Sequence, residues 1–201
     1  VRRFVYTQVE RYGMRGLMVL AVFGLLMSDG AMAADTDARV QASRAAVKAF
    51  FGDLKGELVK ALTSGGPVKA VETCVGAAPQ VTLNATERAG WRIARTSLKL
   101  RNPNNQPDAW EIAVLDSFEA RRRAGEDITK MEYWDTVIVD GEPAFRYMKA
   151  IPTDAKPCLV CHGEKIKPGI AKVLDEFYPD DKARGYKAGE IRGAFTITQP
   201  M

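Results

Sequence analysis

The chain has 201 residues, 46% of them hydrophobic and 27% charged, with 29 Lys and Arg against 25 Asp and Glu and a formal net charge of +4. That length suits one domain with a sizeable core, and a charge so nearly balanced leaves no footprint for a nucleic-acid partner. With three cysteines and one histidine in all, the one C-x-x-C pair is unrepeated, which speaks against a structural zinc site, normally built on two such pairs.

Arg2, Arg3, Arg11 and Arg15 surround the start of the chain, an apolar run follows from Gly16 to Met27, and Ala31-Met32-Ala33 has the small-residue pattern of a cleavage site. This order predicts a secretory signal peptide over 1–33, with an uncleaved anchor as the alternative. The apolar run is shorter than the roughly 20 residues that cross a bilayer as a helix. Residues 34–201 are then expected in the periplasm, with no stable membrane span once the leader is cut. The leader carries four basic and two acidic residues, leaving 25 Lys and Arg against 23 Asp and Glu.

Val40, Val47, Phe51, Leu54, Leu58 and Leu62 recur at steps of three, four or seven and predict an amphipathic helix over 36–62. Ser64-Gly65-Gly66 stops it, and Pro67 is placed to start a short second helix through Val71, Cys74 and Val75 that ends near Gly76 and Pro79. Cys74 shares an apolar face there with Ala70 and Val71. A strand is expected from Trp91 to Leu100, a turn-rich loop over 101–107, and a helix over 108–123 with Trp110, Val114, Leu115 and Phe118 on one side. Arg121-Arg122-Arg123 closes that helix as a solvated run that complements its dipole. Residues 132–139 and 143–151 predict a hairpin about Asp140-Gly141. A further helix near 170–177 and a strand over 191–198 complete an α+β domain on an antiparallel sheet.

Between the hairpin and the last helix stands Cys158-Leu159-Val160-Cys161-His162. C-x-x-C-H is the spacing by which haem c is attached: two thiols bond the vinyl groups and the histidine ligates the iron. A thioredoxin-type dithiol usually opens a helix in a βαβ setting, whereas this motif follows Pro152 and Pro157 in an expected loop. With His162 the chain's only histidine, a second imidazole ligand is excluded. Cys74, the one cysteine left, is open to three readings: a small buried hydrophobe, a partner in an intermolecular disulfide, or an iron ligand. Met148 is the best rival ligand, with Met131 and Met201 behind it.

Ser97 to Glu111 reads SLKLRNPNNQPDAWE, and Phe145-Arg146-Tyr147-Met148-Lys149, the CLVCHG stretch, Gly185-Tyr186 and Ile191-Arg192-Gly193-Ala194-Phe195 follow in order. In this order the chain resembles the extracytoplasmic haem c proteins with a PAS-like fold, known as a free-standing cyanobacterial protein and as the sensor part of membrane histidine kinases. The resemblance covers most of 36–200 and implies a single PAS-like domain over 34–201 with one haem c per chain. It implies iron ligation by His162 and by Cys74. Arg95, Arg101 and Arg192 lie in the shared segments and are expected to hold the haem propionates, since a guanidinium fork matches a carboxylate. Trp91, Trp110, Tyr147 and Phe195 are assigned to packing.

A thiolate ligand favours ferric iron and lowers the potential relative to His/Met ligation. Released on reduction, Cys74 would open a coordination position and free its helix. The expected function is therefore a periplasmic redox or diatomic-gas sensor acting through a separate redox or signalling partner, with a periplasmic electron-transfer cytochrome c as the alternative. No enzymatic activity is expected, because no second histidine is available as a distal acid or base.

Overall fold

The structure is a computed structural model that describes the backbone from residue 13 and side chains from residue 32. Of the expected leader, 1–33, residues 1–12 lie outside the described residues. The chain divides into two compact units, Val1–Gln41 and Ala42–Met201. In the first, the described part is helix, with Arg39 and Asp35 paired at 2.8 Å one turn apart. Among the described residues no helix is long and apolar enough to cross a membrane.

Helix α1 (Gly13–Ala89) is broken at Gly66, whose φ of 72° and ψ of −169° lie where essentially only glycine is found. The first arm thus stops where Ser64-Gly65-Gly66 predicts. The second arm, from Pro67, does not end near Gly76 and Pro79 but runs on to Ala89. Its inward positions continue past the proline as Val71, Val75, Ala78, Thr82 and Ala85, while Pro79 faces solvent, so the hydrogen bond it forgoes is lost on the wet side.

The second unit is built on a four-stranded antiparallel sheet of β1 (Arg92–Thr96), β2 (Glu132–Val139), β3 (Glu142–Pro152) and β4 (Ile191–Pro200) in the order β1-β4-β3-β2. β2 and β3 form the expected hairpin, from Glu132↔Lys149 to Val139↔Glu142. Asp140 and Gly141 take the positive φ of its tight turn, 53° and 88°. β1 is shorter than the expected 91–100 because Ser97 turns the chain: its hydroxyl accepts from the Lys99 N–H at 3.1 Å and donates to the Arg192 carbonyl at 2.8 Å.

Each sheet face is covered by helix. On one, Phe50 of α1 packs edge-on to Phe195 at 5.5 Å, and Ser43 accepts from Gln199 at 2.8 Å. On the other, α2 (Ala109–Arg123) buries Val114, Leu115 and Phe118 against Met131, Met148, Ala150 and Ala194. Asp108 and Glu111 close the start of α2 as a capping box, and Glu111, fully buried, binds Arg146 at 3.0 Å and Thr196 at 2.8 Å. Arg121 and Arg122 pair with Glu126 and Glu119. This is the α+β, PAS-like architecture expected of the sequence.

A third cluster joins Val71 on the second arm of α1 to Ile170 and Leu174 of α4 (Pro168–Phe177), with Val160, Cys161 and Tyr178 against it. The C-x-x-C-H motif lies here in one five-residue helical turn, α3 (Cys158–His162), and not in the expected loop. Val160 and Cys161 have apolar neighbours to pack on, which makes the helical turn the favourable way to seat the motif.

Candidate functional site

Between the two arms of α1, strand β1 and the α3–α4 segment lies a cavity of about 570 Å³, within the size range of small-molecule and cofactor pockets. Leu54, Leu58, Val71 and Leu174 give it apolar walls, and Cys74, Cys161 and His162 reach it from two separate parts of the chain. Cys158 is half-buried one turn before Cys161 and does not line it. All three cysteines are free thiols.

The ring of His162 is fixed in one tautomer. Its Nδ1 lies 2.8 Å from the Ala183 carbonyl oxygen, which can only accept, so Nδ1 carries the proton and Nε2 keeps a lone pair. Burial, and after it the Arg192 and Arg101 cations, hold the imidazole neutral, well below its ordinary pKa. The Nε of Arg192 stands 3.5 Å from His162 Nε2.

Asp181 organises the loop that carries Ala183. One carboxylate oxygen accepts from the Ala183 N–H at 2.9 Å; the other accepts from Arg101 at 3.0 Å and from Arg184 at 2.9 Å. Arg101 also donates to the Cys161 carbonyl at 2.6 Å, so one guanidinium ties the motif to the loop that orients its histidine. Tyr186 N–H binds the His162 carbonyl at 2.9 Å and Gly185 N–H binds the Gly163 carbonyl at 3.1 Å, which seals the turn from the other side.

Gly193 lets β4 close on β1. Its φ is 155°, and a Cβ there would drive into the Thr96 carbonyl oxygen. The neighbouring Arg192 is thereby placed at the cavity, held by Ser97 Oγ at 3.1 Å and the Lys99 carbonyl at 3.3 Å.

Burial pushes the Cys74 thiol up, with Arg95 and Arg101 pulling the other way. Cys161 is likewise raised by burial against the pull of Arg101. Arg95 and Arg192 are lowered chiefly by burial, yet a guanidinium so placed stays cationic at neutral pH.

The structure therefore brings Cys74, Cys161, His162, Arg95, Arg101 and Arg192 to one cavity. Met148 and Met131 are not there: both are fully buried in the cluster beneath α2. Met201 is 54% exposed at the chain end. Of the residues assigned to packing, Tyr147 and Phe195 are core, Trp110 packs on the α2 cluster beneath Arg146, and Trp91 is half-buried. Asp181 and Ala183 escape sequence reasoning. The part Ala183 plays is that of its carbonyl, which no side-chain pattern records.

The family described as Tll0287-like matches residues 5–200. The chain belongs to the Tll0287-like family. Among solved structures it is similar to the crystal structure of the cyanobacterial heme-protein Tll0287, at 23% identity and a TM-score of 0.60, over 81% of this chain and 95% of that one. That likeness shows the fold. No curated protein matches the chain.

Within the cavity, the donor set and walls fit a flat, largely apolar group that carries a metal and anionic substituents. Two thiols and an imidazole are held at one turn, a third thiol faces the same space, and the Nε of Arg95 is buried there without a hydrogen-bond partner. Among the described residues no three His, Cys, Asp or Glu side chains gather as a metal site, so a metal here would need donors from the group that carries it.

Proposed function

We propose that this protein carries one covalently bound haem c, with His162 and Cys74 as axial ligands, and works in the periplasm as a redox or diatomic-gas sensor. The observation that supports this most is the convergence of Cys74, Cys161 and His162 on one cavity. A family relative is itself described as a heme-protein. The leader expected at the N-terminus and the side of the membrane on which haem c is attached agree with a periplasmic site.

Bound haem supplies a one-electron iron couple and a coordination position that a diatomic gas can occupy. Cys158 and Cys161 are the tethers. Each thiol adds across a vinyl group, sulfur to one carbon and hydrogen to the other, a step that consumes no oxidant. His162 offers Nε2, since Ala183 fixes the proton on Nδ1. That lone pair serves one partner, so metal ligation and the contact with Arg192 exclude one another.

Cys74 is the movable ligand. It rides on an arm that begins at the Gly66 break and is packed through Val71 against Ile170 and Leu174 of α4. Release of the thiol loosens one end of that arm, which gives a partner protein a conformational signal to read. No residue is assigned a catalytic role.

The test is absorption spectroscopy of the purified holoprotein, ferric, ferrous and ferrous with CO. Thioether-linked haem whose ferrous form takes CO rapidly supports the sensor. Thioether-linked haem that keeps its thiol ligand when reduced and ignores CO makes the protein an electron carrier. A chain with no covalent haem overturns the reading.

A further inference from the structure

We infer that Arg95 takes a carboxylate of the group bound in the cavity, while Arg101 and Arg192 serve the protein's own acceptors. This rests on the haem reading and names one contact within it. The cavity is lined by four arginines and by no Asp or Glu. Three of the four already have an acceptor, although the Nε of Arg101, like that of Arg95, is buried without one.

Arg92 is 57% exposed and lies 3.8 Å from Glu111. Arg101 donates to Asp181, to the Cys161 carbonyl and to the Ala183 carbonyl. Arg192 donates to Ser97 Oγ and to the Lys99 carbonyl. The Arg95 side chain makes no hydrogen bond among the described residues. Its Nε is shut off from solvent, and its contact is the Phe50 ring, 5.9 Å from the guanidinium carbon.

A buried cation without an acceptor is costly, and the deficit is met when a ligand brings the anion. A guanidinium offers two parallel N–H donors and a carboxylate two acceptors, so the fork of Arg95 suits a propionate. β1 sets its position: Arg95 pairs with Phe195, the residue on which Phe50 packs, so Arg95 enters the cavity from an edge strand that β4 holds in register.

The experiment measures the midpoint potential of the holoprotein across pH for wild type, Arg95→Gln and Arg95→Lys, with the Gln change repeated in a Cys74→Ala background. Losing the cation should lower the potential at neutral pH and move the bend of the pH profile upward, because the carboxylate loses its partner. Arg95→Lys should restore the potential, but with the bend still displaced, since it keeps the charge and lacks the fork. The displacement should persist in Cys74→Ala.

A bend unmoved in both Arg95 variants overturns the inference, as does a displacement that disappears in Cys74→Ala, which would mean that Arg95 acts through the thiol. If Arg95→Gln does not fold by circular dichroism, the displaced or unmoved bend of Arg95→Lys decides. Absence of covalent haem from the wild type overturns the functional reading itself, and is seen before any variant is compared.

Discussion

His162 Nδ1 and the Ala183 carbonyl oxygen lie 2.8 Å apart, and the same Asp181 that binds the Ala183 N–H also binds Arg101, which holds the carbonyl of Cys161. The motif and the loop that orients it are therefore one unit. Asp181→Ala should cost about 3 kcal/mol, because it leaves the Arg101 guanidinium without its buried partner. Urea unfolding of the full chain measures this, and a loss below about 0.5 kcal/mol would separate the two halves of the unit.

Acid should weaken the fold through Asp181 and Glu132. Burial pushes both carboxyls up, but bonds from Arg101 and Arg184 to Asp181, and from Arg44 and Tyr147 to Glu132, hold each below the usual carboxylate range. A carboxyl depressed by folding contributes stability that is complete above its unfolded pKa, near about 4, and is lost as pH falls through the folded value. The melting temperature should fall as pH drops below about 5. Asp181→Asn should flatten that slope; an equal slope in wild type and variant would show that Asp181 is not part of it.

Gly193→Ala should destabilise the protein by about 2 kcal/mol or more. The new methyl meets the Thr96 carbonyl oxygen, so β4 and β1 must separate where Arg192 enters the cavity. Chemical denaturation gives the loss directly. A variant as stable as wild type would mean that the strands part there without cost.

At the break in α1, Gly66→Ala places a side chain in a region nearly closed to anything but glycine, at about 1–3 kcal/mol. The strain falls at the root of the arm that bears Cys74. The holoprotein spectrum should therefore change together with the loss of stability, whereas Gly52→Ala, on an open stretch of the same helix, should leave the spectrum unchanged and raise stability slightly.

Local signals read well in this sequence. Asp140-Gly141 and Gly66-Pro67 each state a turn or a break in neighbouring residues, and each stands where it was expected. The misreadings share a cause. Pro79 looks like a helix end, and Ser97 to Leu100 like more strand, until contacts made elsewhere decide: the inward face of the second arm carries the helix through the proline, and Ser97 bonds to Lys99 and Arg192. The site divides in the same way. The C-x-x-C-H spacing is local and was legible, while Asp181, Ala183 and the difference between Arg95 and its neighbours depend on which groups are already bonded in the folded chain.

The most direct measurement is the electron paramagnetic resonance spectrum of the ferric holoprotein beside that of Cys74→Ala. A low-spin signal of the thiolate-ligated kind is expected in wild type and should be absent from the variant, with covalent haem retained in both. Identical spectra would remove Cys74 as a ligand, and with it the movable arm on which the sensor reading stands.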